Sequence, residues 1–115
     1  MKNKLLLISF FALFSSVANA SDHSASDVMR FCSNHSKVTE QIMTARQGNI
    51  SKESSISKYV AVEKSSENRR KEITSVVNQA YSQPIQKNDT AKYGVIKRFR
   101  DKNMLKCLGN HYAVR

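Results

Sequence analysis

The stretch Ser26–Asn49, SDVMRFCSNHSKVTEQIMTARQGN, decides the fold. Val28, Phe31 with Cys32, His35, Val38, Ile42 and Ala45 recur every three or four residues, the period of an amphipathic helix. Ser26 is a suitable N-cap, and Asp27 places negative charge in the first turn, where the helix dipole favours it. Arg46 supplies a cation in the last turn, and Gly48 offers the left-handed conformation with which many helices end. The spacing predicts a helix over 26–47.

Toward the C-terminus, Ser51 is placed to cap a second helix with a weaker apolar stripe of Ile56, Tyr59 and Val60. Residues 64–72, KSSENRRKE, contain no apolar side chain, and Ile73, Val76, Val77, Ala80 and Tyr81 then resume the helical period. One helix over 52–82 with a solvated middle competes with a break near Ser65–Ser66, after which Ser66 caps a new helix from 67. The break is the slightly favoured reading. Residues 82–90 read as a loop, because Pro84 cannot continue a helix and biases Gln83 away from helical angles. Asp89 or Thr90 then caps a last helix whose buried face is expected to carry Tyr93, Ile96, Met104, Cys107 and Leu108. Gly109–Asn110 is expected to end it, leaving His111–Arg115 as a tail.

The chain has one Pro and three Gly in 115 residues, too little punctuation for many short strands. The expected fold is all-α: a small three- to four-helix bundle, with the first helix beside the last. Its expected core is Val28, Phe31, Val38, Ile42, Tyr59, Ile73, Val77, Tyr81, Ile96 and Cys107.

Upstream, residues 1–20, MKNKLLLISFFALFSSVANA, have the pattern of a cleaved Sec-type signal peptide. Lys2 and Lys4 form the positive segment. Leu5–Phe14 is apolar but shorter than the ~20 residues of a membrane span. Ala18-Asn19-Ala20 is an A-x-A cleavage site, so a single domain over 21–115 is expected, exported to the periplasm or secreted, and soluble after cleavage following Ala20. No second apolar run follows, so no transmembrane anchor is expected.

Export sets the reading of the two cysteines. In an oxidising compartment a single pair is expected to be a disulfide, here Cys32–Cys107, joining the first and last helices. A less favoured alternative is a Cys₂His₂ metal site of Cys32, His35, Cys107 and His111, since each His follows a Cys by three or four residues. Ligation needs thiolates, which export disfavours. The pair is also too far apart in sequence for the C-x-x-C arrangement common in thiol oxidoreductases.

The leader holds two of the 19 basic residues and none of the nine acidic ones, which leaves a net charge of +8. Residues 92–115 carry seven basic side chains against Asp101 alone. Arg98, Lys102 and Lys106 recur every fourth residue on one helix face with Lys92 close by, a candidate surface for an anionic envelope component or an acidic protein. The competing reading is a solvated, solubilising face. Export and the lack of a basic–aromatic motif argue against nucleic acid. Asn34, Asn49 and Asn88 each begin an N-x-S/T triplet, read as chance. No nucleophile elbow, phosphate-binding glycine loop or His pair is present, so no catalytic residue and no cofactor are assigned.

Phe31-Cys32, Ile42-Met43-Thr-Ala-Arg46-Gln47-Gly48, Ala80-Tyr81 with Pro84, and Cys107 together give the chain a resemblance to small exported helical proteins of gammaproteobacteria with one cysteine near each end of the mature chain. The resemblance implies fold and location and brings no activity with it. Read physically, Met43 and Tyr81 belong to the core, and Arg46 and Gln47 form a helix end able to reach a neighbouring loop. The function expected is a non-enzymatic accessory or interaction protein of the cell envelope. The alternatives are a secreted cationic effector or inhibitor and, behind it, a small Cys/His metal-binding envelope protein.

Overall fold

Among the described residues the chain is all-helical, with four α-helices and no strand. The computed structural model describes residues 25–111 in full and the backbone alone of residues 2–24, 112 and 113. The elements are α1 (Lys2–Gln47), α2 (Lys52–Ser55) running directly into a π-helical turn (Ile56–Val60), α3 (Glu67–Tyr81) and α4 (Asp89–Ala113). Two units divide the chain, residues 1–31 and residues 32–115. The expected leader, its cleavage after Ala20 and the terminal Arg115 lie outside the fully described residues. No helix among the described residues is long and apolar enough to cross a membrane.

Ser26 does not cap α1. It lies within one continuous helix, because nothing around it forces the backbone out of helical angles. In the first unit Phe31 is exposed and Val28 only half-buried. Burial on α1 starts at Cys32 and follows His35, Ser36, Thr39, Ile42, Met43 and Gln47. The period is as expected, but polar residues occupy several buried positions. Ser36 and Thr39 satisfy their hydroxyls on the preceding turn, donating to the Ser33 carbonyl at 2.9 Å and the Ser36 carbonyl at 2.7 Å.

The end of α1 is a Schellman turn. The Ile50 N–H reaches the Ala45 carbonyl at 2.9 Å, and the Asn49 N–H reaches the Arg46 carbonyl at 3.0 Å. Asn49, with φ 61°, takes the left-handed conformation in place of Gly48. At Gly48 a Cβ would make a tight contact of 3.3 Å with the Thr44 carbonyl oxygen.

The break in the middle of the chain is present. The Ser51 and Ser66 hydroxyls accept from the Ser54 and Arg69 N–H groups at 3.1 and 3.0 Å, capping α2 and α3 as their positions predict. The last helix is capped one residue earlier than expected. The Asn88 Oδ1 accepts from the Ala91 N–H at 2.8 Å, and Asp89 falls in the first turn.

The core is Ile42 and Met43 of α1, Ile73, Val76, Val77 and Ala80 of α3, and Phe99 of α4. Val38, Ile56, Tyr59, Val60, Tyr81, Val95 and Ile96 pack around it, half-buried. On α4 the buried face is rotated from the expected one. Tyr93 is 68% exposed, whereas Phe99 is only 9% exposed. The inward row runs Val95, Phe99, Asn103, Cys107 at intervals of four, with Cys107 fixed by its bond to Cys32. Asn103 is buried by donating to the Phe99 carbonyl at 2.9 Å, so a polar residue occupies a core position and disguises the row. Arg100 pairs with Glu40 of α1 at 3.5 Å and with Asp101 at 3.1 Å.

Candidate functional site

Cys32 and Cys107 form the expected disulfide, with Cα atoms 5.6 Å apart and 75 residues between them in sequence. The bond joins α1 to α4. His111 lies close by: its ring nitrogen and the two sulfurs fall within 4.8 Å of one another, while His35 is not in that group. α4 continues through Gly109 and Asn110, so His111 follows Cys107 by a true helical turn. The expected stop fails because Gly109 takes no positive φ and the backbone simply carries on. With both sulfurs in the disulfide, the cluster has no thiolate to offer a metal.

His35 is 4% exposed and faces two charged residues of α3. Its Nδ1 lies 2.8 Å from the Arg69 Nη1 and 3.3 Å from the Glu72 Oε1, and Arg69 also pairs with Glu72 at 3.0 Å. Guanidinium groups only donate, so Nδ1 must accept and the ring proton sits on Nε2. Burial is the main reason that this imidazole is held below its usual value; Glu72 opposes the shift, while Arg69, His111 and Lys106 reinforce it. His35 is therefore a neutral structural acceptor at neutral pH.

A second polar cluster lies at the other end of α1. Gln47, 2% exposed, donates from Nε2 to the Pro84 carbonyl at 3.0 Å and accepts the Gln86 N–H on Oε1 at 2.8 Å. Arg46 donates to the Gln83 carbonyl at 2.9 Å and lies over the Tyr81 ring at 5.4 Å. The Tyr81 hydroxyl donates toward the Ile50 carbonyl at 2.8 Å, leaving Ser55 to donate to it at 2.8 Å. These contacts fasten the 83–86 loop to α1. The Gln47 amide and the Tyr81 hydroxyl are both engaged as donor and acceptor, which marks a structural device.

The surface offers several hollows, and charge separates them. One of about 770 Å³ mixes Lys37 and Lys58 with Glu40. Another of about 420 Å³ mixes Arg70 and Lys71 with Glu67. Between α3 and α4 lies one of about 340 Å³ lined by Arg98 and Lys102 and by no carboxylate. It shares Gln79 with a neighbour of about 220 Å³ that adds Lys106, His35, Asn103 and Glu72. Taken as one groove, the two are walled on α4 by the row Arg98, Lys102, Lys106 and carry one carboxylate, Glu72.

No ion pair involves these three cations among the described residues, whereas Arg69 and Arg100 are paired. The row is offset by one residue, about 100°, from the buried row Phe99, Asn103, Cys107. It therefore flanks the core along a cleft and does not point away from the bundle. Rotation of α4 relative to its expected face produces this placement. Lys92 is half-buried and lines neither hollow, so three of the four expected cations come together and the fourth does not.

Comparison with family models, curated proteins and solved structures finds no match. The α3–α4 groove is described by its own chemistry, with Glu72 as its one carboxylate. Cations form one wall, Ser75, Gln79 and Ser82 supply hydroxyls and an amide to the other, and Met43, Val95 and Phe99 form apolar lining.

Proposed function

We propose that this chain is an exported, non-enzymatic interaction protein of the bacterial cell envelope that contacts an anionic partner through the basic side of α4. The observation that carries the proposal is the row Arg98, Lys102 and Lys106 along the α3–α4 groove, with no ion pair to any of them among the described residues. Like charges at i, i+4 cost a few tenths of a kcal/mol per pair, about 0.2–0.5, which an anionic ligand would offset. Two features support the address: the leader pattern of residues 1–20 and a disulfide suited to an oxidising compartment. The reading assigns no reaction to the chain.

The test is binding of the oxidised protein to anionic probes, namely polyglutamate, polyphosphate and anionic-lipid vesicles, across a salt series. Binding to at least one is expected, weakening steeply as ionic strength rises. Replacing Arg98, Lys102 and Lys106 together by Gln should abolish it while leaving the thermal transition in place. Absent binding, or binding indifferent to salt and to the triple change, defeats the proposal. Mass and N-terminal analysis of the exported protein tests the address, with Ser21 as the expected first residue.

A further inference from the structure

The nature of the anionic partner can be narrowed from the groove itself. We infer that the α3–α4 groove takes an extended acidic peptide segment of a partner protein, with carboxylates at alternate residues. This rests on the basic side of α4 being the contact surface.

Spacing is the first reason. Arg98, Lys102 and Lys106 are four residues apart on a continuous helix, so each step rises about 6 Å and the row spans about 12 Å. An extended peptide places same-side residues about 6.4–6.8 Å apart, so carboxylates at three alternate positions span about 13 Å. The two rows match to about 1 Å over their length, well within the reach of Lys and Arg side chains.

The opposite wall is the second reason. Ser75, Gln79 and Ser82 lie along α3, with Glu72 at the Lys106 end paired to Arg69 at 3.0 Å; the Gln79 Nε2 donates to the Ser75 Oγ at 3.2 Å, while the Ser82 hydroxyl donates to the Gln79 carbonyl at 2.7 Å. These bonds order the row and leave the Gln79 Oε1 as an acceptor and its second amide hydrogen as a donor. A peptide backbone needs both, since each residue presents an N–H and a C=O.

Gly94 is the third. A Cβ at this position would lie 3.2 Å from the Arg98 Nη1, so an alanine here would shift the guanidinium by a few tenths of an ångström at the end of the row. A glycine inside a helix costs about 1 kcal/mol relative to alanine, and here the cost accompanies the placement of a cation.

Other anions fit less well. Single-stranded nucleic acid is held by aromatic faces on which bases stack, and the aromatic ring lining this groove, Phe99, is buried. A lipid surface is met by a helix that lays apolar side chains into the headgroups with cations beside them, whereas these cations line a cleft between two helices.

The experiment is fluorescence anisotropy with the full, oxidised chain at low salt. Two labelled peptides carry six glutamates each, one as Glu-Ser repeats and one as Glu-Ser-Ser repeats. Polyphosphate, oligothymidylate and anionic vesicles are run beside them. The alternating peptide is expected to bind about tenfold tighter than the three-residue repeat. Lys102→Gln should weaken it about fivefold. Gly94→Ala should raise the melting temperature yet weaken the alternating peptide more than the other, an outcome that a purely structural glycine would not give. Equal affinity for both peptides, or tighter binding of polyphosphate, oligothymidylate or vesicles, overturns the peptide assignment while leaving the anion reading standing. No binding to any anionic probe overturns both.

Discussion

The two ends of the buried part of α1, Cys32 and Gln47, are fastened by different chemistry. At Cys32 the fastening is covalent and flanked by ionisable groups: the bond to Cys107, with His35 engaged by Arg69 and close to Glu72. At Gln47, about 22 Å away along the helix, it is a set of hydrogen bonds, two made by one neutral amide and the others by Arg46 and Tyr81. The first end depends on redox state and pH, and the second on neither. A small bundle held at both ends of its longest buried helix can thus be loosened at one end alone.

Breaking the covalent end should have the largest effect. Changing Cys32 and Cys107 to Ala removes the closure of a 75-residue loop and should cost about 3–5 kcal/mol, read from denaturant unfolding with and without reductant. The wild-type protein in reductant should match the double variant. If reductant leaves the transition unchanged, the covalent end contributes nothing.

Gln47→Leu comes next. It strands the Pro84 carbonyl and the Gln86 N–H and should cost about 2–3 kcal/mol. The loss should be the same at pH 5 and pH 8, and amide exchange should rise at Gln86 without rising near Cys107. A pH-dependent loss would erase the contrast between the ends.

A smaller and pH-dependent effect belongs to His35. Its folded-state pKa lies below the usual 6.5, mainly through burial. As pH falls through 6.5 the unfolded chain takes up the proton before the folded one, so stability falls. The decline ends once pH is below the folded-state value, and above 6.5 this contribution is fully present. Protonation turns Nδ1 into a donor, which repels Arg69 and favours Glu72. His35→Gln should flatten the stability profile between pH 7.5 and pH 5, measured by urea unfolding.

The smallest test concerns the turn that follows Gln47. Asn49→Ala forces a β-carbon into the left-handed region without the local hydrogen bonding of Asn and should cost about 1 kcal/mol, whereas Asn49→Gly should cost nothing. Equal loss in both would mean that the Asn side chain, not the conformation, matters.

Short-range devices were legible in the sequence. Ser51 and Ser66 cap the helices that follow them because a hydroxyl at that position meets a donor three residues on, whatever the rest of the fold does. The disulfide followed from compartment and count. The buried face of α4 was not legible, because Asn103 occupies a core position through a bond to its own helix and Tyr93 points outward. An interval-of-four search allowing one amide would have found Val95, Phe99, Asn103 and Cys107. The His35 contact with Arg69 joins residues 34 apart, and the Gln47 contact with Gln86 joins residues 39 apart, so no local pattern announces either. The cation row was visible from its spacing. Its position beside a cleft was not, because that depends on the rotation of α4.

The sequence position of Cys107 has a consequence for the order of events in folding. It lies in α4, 75 residues after Cys32, so its pairing with Cys32 must wait until α4 has emerged. The loop contacts of Arg46 and Gln47 need nothing beyond Gln86 and are available earlier. A nascent chain can therefore dock α3 on α1 provisionally and reversibly, and is closed covalently only once α4 is present. A chain terminated before Cys107 keeps a lone thiol at Cys32, a chemical mark open to thiol–disulfide exchange that the closed molecule lacks.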